Sequence, residues 1–386
     1  MNNSPFIQDR IAGARFMVVG CGALGNEVLK NLALMGAEHL TLVDFDRVEV
    51  GNLSRSVLFS KEDAEADRFK VDAAGERLKR MNPAMEIDAI RGDIAYDVGL
   101  GRVREMDVVL GCVDNRWARY CINRLCMRAG VPWVDGGIDA LEGTVRVFAP
   151  GQNCYACNLG PEGLKDMARR QPCSGVIRRD EAAGKAPTTS VIASVIGAVQ
   201  VQEALKLLHP ELLADGSLSS LCGRMFYYEG GRLSTKVVEF KAFDADCPVH
   251  DRWEPVWHSA LRPETTVSDA LALLRQDLQA EQVEIQLTGD CFVDRVLRRE
   301  GEGSLDVMLP GRAVADRLAK EPGWSGIPLG ALYQHEFRTV DGSFPYPGLT
   351  LAQLGIPAHD ILPVATDAGD FYVEMDCKIW IQGYRK

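Results

Sequence analysis

Three glycines, Gly20, Gly22 and Gly25, stand between a short apolar run and a helical pattern, and they constrain this chain more than any other feature. In MVVGCGALGNEVLKNLALMGAEHLTLVDFD, residues 17–46, the strand pattern of 16–19 runs straight into them, and the helical spacing of 26–35 follows. Glycine at these places permits a tight turn and a close backbone approach to a phosphate at a helix N-terminus. Asp44 comes 19 residues after Gly25, at the end of the next strand, where a carboxylate can accept ribose hydroxyls. The stretch asks for a phosphate and a ribose. It leaves open whether they belong to a dinucleotide.

The rest of the first half continues the alternation. Residues 39–43, 85–90, 107–110 and 131–134 read as strands, and 70–81 and 116–129 as helices, stopped by Asn82-Pro83 and Gly130. Strands alternating with helices predict an α/β fold with a Rossmann-like, doubly wound, mainly parallel sheet. Residues 144–148 can extend it at an edge. From 151 to 185 Gly, Pro, Cys and charges dominate, which predicts a loop-rich insertion. Residues 188–208 read as a long core helix, and 225–229 and 234–240 return as strands. A Trp- and Pro-bearing connector over 248–263 leads to a second pattern, with helices at 267–278, 312–318 and 349–354. Its strands fall at 283–287, 291–297, 305–309, 361–366 and 371–375, which suits a small α+β, β-grasp-like domain.

Composition removes several function classes. The chain has 386 residues, enough for two or three domains, and a formal net charge of −11, which disfavours a general nucleic-acid or anionic-membrane binder. The first ten residues carry no signal-peptide core, and the longest apolar run, 191–201, is short for a membrane span. With eleven cysteines and no secretion signal, reduced thiols used for metal binding or catalysis are expected, in a cytoplasmic protein.

Two further stretches separate nucleotide chemistries. VDFDRVEVGNLSRSVLF (43–59) carries Asp44, Asp46, Asn52 and Arg55, and DRFKVDAAGERLKRMNP (67–83) adds Lys70. DVVLGCVDNRWAR (107–119) places Asp114 at the end of a later strand. A nicotinamide enzyme needs a planar apolar slot, whereas this set offers cations for a triphosphate and a carboxylate for a metal ion. Over roughly residues 11 to 250 the chain resembles the ubiquitin-activating superfamily, which includes the adenylyltransferases serving molybdopterin synthase and thiazole synthase. The resemblance implies that Gly20, Gly22 and Gly25 cradle phosphates and that Asp44 holds the ribose, with Asp46 beside it. It implies that Asn52, Arg55 and Lys70 bind phosphates and that Asp114 holds Mg²⁺ beside ATP. Where many relatives lend an arginine to a partner's site from an N-terminal helix, Arg10 is the candidate here.

Cys154 and Cys157 form one pair with two intervening residues, and Cys247 and His250 form another 90 residues after Cys157. That spacing lets both side chains of a pair reach one tetrahedral ion. The superfamily places CxxC pairs at both positions, so a structural Zn²⁺ is expected, with four protein ligands and no open position. Cys173 lies in the irregular insertion, ahead of Pro187-Thr188-Thr189, where thioester-forming activating enzymes carry their cysteine. A free thiol is only about 3% thiolate at pH 7, and Arg169, Arg170, Arg178, Arg179 and Lys185 would raise that fraction. Cys21, Cys112, Cys121 and Cys126 read as small core hydrophobes.

The resemblance implies an enzyme that adenylates the C-terminal carboxylate of a ubiquitin-like protein ending in Gly-Gly and then forms a thioester on Cys173 for a conjugating enzyme. The alternative is an adenylyltransferase for a sulfur-carrier protein in molybdopterin, thiamine or related cofactor biosynthesis. A binding module with a dead site and a Rossmann oxidoreductase are weaker rivals, because the phosphate-binding cations are all present. The expected organisation is an adenylation domain over 1–150 and 188–250, split by a catalytic-cysteine insertion with a zinc knuckle over 151–187. A linker over 251–263 then joins a domain over 264–386 that docks a conjugating enzyme. A homodimer is expected, with neither nucleic acid nor membrane as partner.

Overall fold

The computed structural model describes residues 6–169, 189–240, 242–298, 303–324 and 333–376. They fall into two compact units, one built from 6–94, 103–160 and 189–252 and the other from 95–102, 161–169 and 253–376.

The strands of the first unit are β1 (Arg15–Val19), β2 (His39–Val43), β3 (Glu86–Ile90), β4 (Val108–Gly111), β5 (Trp133–Asp139), β6 (Glu142–Phe148), β7 (Arg224–Glu229) and β8 (Ser234–Glu239). They form one sheet in the order β3-β2-β1-β4-β5-β6-β7-β8. The first five run parallel, and β6, β7 and β8 add an antiparallel meander. Strand order reverses between β1 and β4, which is where ligands of open α/β sheets sit, beyond the carboxyl ends of the strands. Val19 lies level with both Val43 and Gly111, so the residues following β1, β2 and β4 emerge side by side. Gly20, Asp44 and the Cys112–Asp114 turn are therefore neighbours by register.

The helices up to residue 214 are α1 (Gln8–Gly13), α2 (Ala23–Leu34), α3 (Lys61–Glu65), α4 (Lys70–Met81), α5 (Leu100–Arg104), α6 (Arg116–Ala129), α7 (Gly160–Arg169), α8 (Ser190–Leu207) and α9 (Pro210–Ala214). By length and composition α8 is the one described helix that could cross a membrane. Here it packs on α2 and β5 and buries Ile192, Ile196, Val201 and Leu205, so it is a core helix. The core beneath it joins Phe16, Val18, Leu29, Leu42, Leu110 and Val134.

The second unit contains α10 (Val267–Leu278), α11 (Gly311–Ala319) and strands β9 (Val256–His258), β10 (Val283–Gln286), β11 (Phe292–Leu297), β12 (Ser304–Pro310), β13 (Glu336–Phe337), β14 (Thr339–Val340), β15 (Ile361–Thr366) and β16 (Gly369–Glu374). A five-stranded sheet runs β14-β10-β15-β16-β9, and a three-stranded one runs β12-β11-β13.

Three local expectations are corrected. The connector read over 251–263 contributes β9, paired in parallel with β16, and Trp253 stacks on Tyr372 with ring centroids 4.8 Å apart. The helix expected at 349–354 is a set of turns, because Thr350 pairs with Thr266 and Gly355, at φ +88°, ends the turn. The insertion contains α7, with Pro161 and Glu162 in its first turn, where a fixed φ and an acidic group both favour a helix start.

Candidate functional site

The glycine turn is shaped by two contacts that no larger residue could make. Gly20 has φ +93°, and a Cβ there would lie 2.6 Å from the Cys112 carbonyl oxygen. A Cβ on Gly25 would lie 1.9 Å from the Gly20 carbonyl oxygen, so the first turn of α2 sits directly on the loop. Gly22, which precedes α2, is different: a Cβ there would meet nothing within 4 Å. It borders open space at a helix N-terminus, where a phosphate would lie.

Asp44 follows β2 and folds back on this turn. One carboxylate oxygen accepts the Cys21 N–H at 2.7 Å and the other the Asp46 N–H at 2.8 Å. Burial pushes its pKa up, and the Lys70 charge and these two hydrogen bonds pull it back only in part. Lys70, at the start of α4, is 7% exposed and donates to the Asp46 carboxylate at 2.6 Å. Burial alone would lower the Lys70 pKa, but the Asp44 charge and the Asp46 hydrogen bond outweigh it, so the ammonium is held charged. Asp46 is thus the partner of Lys70 in this structure.

Asn52 is buried and accepts the Glu49 N–H at 2.9 Å, which shapes the loop after β2. Arg55 donates to the Gly51 carbonyl at 3.0 Å and ion-pairs with no carboxylate among the described residues. Asp114 is exposed beyond β4, and among the described residues its side chain accepts one hydrogen bond, at 3.4 Å from the amide of Asn115, the N-cap of α6. A carboxylate so placed can bind a hydrated cation. Arg10 is engaged elsewhere, by the Glu211 carboxylate at 2.6 Å and the Leu208 carbonyl. Cys173 lies outside the described residues, as do Arg170, Arg178, Arg179 and Lys185.

Buried polar ties that sequence reasoning missed hold these loops in place. Asn26 on α2 donates to the Cys21 and Gly22 carbonyls at 2.8 and 3.0 Å and accepts the Leu58 N–H at 2.8 Å, joining the glycine turn to the loop that carries Arg55. Gln200 on α8 donates to the Gly111 and Val134 carbonyls, each at 2.9 Å, and so clamps the ends of β4 and β5. Asp135, fully buried on β5, accepts from Arg119 at 2.9 Å and from Arg146. Arg119 also donates to the Val113 carbonyl at 2.7 Å, next to Asp114. The legible signal in each case is a polar residue on an otherwise apolar face. Asp135→Ala leaves two largely buried guanidiniums unpaired and should cost about 3–5 kcal/mol. Urea unfolding would check this, and an unchanged midpoint would show that Asp135 does not hold the strand ends.

The four residues of the spaced pairs meet. The ligand atoms of Cys154, Cys157, Cys247 and His250 all lie within 4.8 Å of one another. Cys154 Sγ is 3.7 Å from Cys157 Sγ and 3.8 Å from Cys247 Sγ, and Cys157 Sγ is 3.2 Å from His250 Nε2. Metal–sulfur bonds of about 2.3 Å in a tetrahedron put sulfurs about 3.8 Å apart, so the donor set fits a tetrahedral ion. Burial raises the pKa of the Cys154 thiol, and a bound cation would offset that cost for a thiolate. Phe243 stacks on the His250 ring at 4.5 Å and fixes its plane. Cys21, Cys121 and Cys126 are buried, and burial pushes the Cys121 thiol up to about 12; Cys112 is partly buried beside Gly20.

Comparison with known proteins agrees with this geometry. The chain is 33% identical over 243 residues to the mouse adenylyltransferase and sulfurtransferase MOCS3, covering 63% of this chain and 48% of the mouse protein. It thus spans about half the length of that relative. It is 30% identical over 242 residues to the SAMP-activating enzyme E1 of Haloferax volcanii, covering 63% of this chain and 82% of that one. It is 36% identical over 203 residues to the molybdopterin-synthase adenylyltransferase of Salmonella typhimurium, covering 52% of this chain and 75% of that one. Among solved structures, E. coli MccB with succinimide aligns with a TM-score of 0.51 at 22% identity, covering 63% of this chain and 67% of that one, which places the fold. The ThiF family matches residues 3–249, the same stretch that carries the superfamily resemblance, and the chain belongs to the ThiF family.

Proposed function

We propose that this protein is an ATP-dependent adenylyltransferase that activates the C-terminal carboxylate of a small ubiquitin-like or sulfur-carrier protein, with a sulfur carrier the favoured substrate. The observation that carries the reading is the convergence, at the switch point of the sheet, of an open glycine turn, a folded-back Asp44, a charged Lys70 and an exposed Asp114. Two of the relatives named above are adenylyltransferases of the molybdopterin and sulfurtransferase type, which supports the sulfur-carrier substrate.

In this reading the glycine turn and the N-terminus of α2 receive the phosphates, and Asp44 accepts the ribose hydroxyls. Asn52, Arg55 and Lys70 hold the phosphate oxygens, Lys70 exchanging Asp46 for phosphate. Asp114 would hold Mg²⁺, and the ion would supply charge neutralisation to the phosphates. A carboxylate oxygen of the carrier attacks the α-phosphorus, the bond to the bridging oxygen breaks, and pyrophosphate leaves. The product is a mixed anhydride between the carrier and AMP. A Gly-Gly tail suits the site because a tail without side chains threads a narrow channel.

Cys154, Cys157, Cys247 and His250 hold one structural Zn²⁺ that ties residue 154 to residue 250. A thioester on Cys173 and transfer to a conjugating enzyme docked on residues 264–386 form the second reading, which the archaeal relative named an activating enzyme E1 supports. A homodimer in the cytoplasm completes the proposal. The test is intact-mass analysis of a Gly-Gly carrier incubated with the enzyme, MgATP and hydroxylamine. The expected product is a carrier with a C-terminal hydroxamate. A carrier that stays unmodified while the enzyme binds ATP would refute the reading.

A further inference from the structure

The two ligand pairs of the metal cluster lie far apart in sequence, and a chain of two side-chain amides joins them. Asn158 follows Cys157, and its Nδ2 donates to the Cys154 carbonyl at 2.8 Å and to Asn153 Oδ1 at 2.5 Å. Asn153 is 6% exposed, and its own Nδ2 donates to the Ala242 carbonyl at 3.3 Å. Ala242 stands five residues before Cys247, in the segment that delivers the second pair.

The direction of this chain is fixed at both ends. Cys154 and Ala242 take part through backbone carbonyls, which only accept. Each amide must therefore turn its nitrogen toward a carbonyl, and the oxygen of Asn153 is left to receive the second N–H of Asn158. Flipping either amide would set N–H against N–H or oxygen against oxygen.

Asn158 also closes the turn between the two cysteines. Its backbone N–H donates to the Tyr155 carbonyl at 3.1 Å, and the Cys154 N–H donates to Cys157 Sγ at 3.5 Å. The same turn is pinned from α6, where the buried Asn123 accepts the Tyr155 N–H at 3.0 Å. The 3.7 Å separation of the first two sulfurs is thus set by groups that are not ligands.

We propose that Asn153 and Asn158 are positioning residues of the metal centre: acting as one amide relay, they hold the Cys154–Cys157 turn in shape and dock it on the segment leading to Cys247 and His250. The inference rests on the reading of the four-residue cluster as a metal site. Groups that orient metal ligands change metal affinity by about ten- to a hundredfold without touching the ion.

The probe is Co²⁺, loaded into the full chain and followed by the thiolate-to-cobalt absorption band while a chelator removes it. The wild type should show the band; its absence would overturn the metal reading itself. Asn158→Ala and Asn153→Ala should each release cobalt at least about tenfold faster than the wild type. The double variant separates a relay from two local supports. Either change breaks the relay, so the double variant should release cobalt within about twofold of the quicker single variant. Single effects that multiply in the double variant would overturn the relay, and so would wild-type release in either single variant; both results leave the metal site standing. If an alanine variant does not fold by circular dichroism, the serine variant at that position is judged by the same rates.

Discussion

Asp114→Ala should abolish most of the adenylation activity without touching stability. The expected loss in carrier-dependent pyrophosphate–ATP exchange is about a hundred- to a thousandfold, the scale seen when one preorganised electrostatic contact to a transition state is removed. The melting temperature should stay put, because Asp114 is exposed and among the described residues its side chain makes one long hydrogen bond. That separation is the informative part. Asp135 and Arg119 sit only a few residues away in space and do the opposite, holding the strand ends through buried charge. A variant at Asp114 that melted early would show the carboxylate to be part of the scaffold. Full exchange with an unchanged melt would remove it from the metal site.

The Cys154→Ser/Cys157→Ser double variant should have the largest effect on folding. Protein purified without added metal should contain about one zinc per chain, and the double variant almost none. Structural zinc sites contribute apparent free energies on the order of 10 kcal/mol, so removing two thiolates should lower the melting temperature steeply. The cluster ties residues 154 and 157 to residues 247 and 250, far apart in sequence, and its loss should loosen the chain at those two places first. Undiminished zinc in the double variant would place the metal elsewhere.

Much of the fold was legible because its boundaries are chemical. The helices at 70–81, 116–129 and 267–278 are found where periodicity and stop signals agree, with Asn82-Pro83 and the left-handed Gly130 ending the first two. The glycine turn was legible because Gly20 and Gly25 are required by backbone contacts that any Cβ would break. What stayed hidden depends on tertiary partners. β9 sits in a stretch rich in Trp and Pro, and only its pairing with β16 makes it a strand. Asn26, Asn123, Asp135 and Gln200 look like ordinary polar residues in helices and strands. Their role follows from being buried against carbonyls, N–H groups and guanidiniums that arrive from distant parts of the chain. The chain between β3 and β4 was also opaque. Residues 95–102 belong to the second unit, where the Leu100 N–H donates to Asp360 at 2.9 Å and a Cβ on Gly99 would strike the His359 backbone. Cutting the chain at residue 264 would strip that segment of its partners.

The central claim is that this site joins a protein carboxylate to AMP, and isotope exchange between pyrophosphate and ATP tests it most directly. Exchange requires that the adenylate form and revert on the enzyme, so it reports the proposed step without any later transfer. With a carrier ending in Gly-Gly, exchange should be rapid, should need magnesium, and should vanish when the carrier is omitted or its last glycine is removed. Exchange that proceeds equally without any carrier, or none at all with an enzyme that binds ATP and the carrier, would contradict the account.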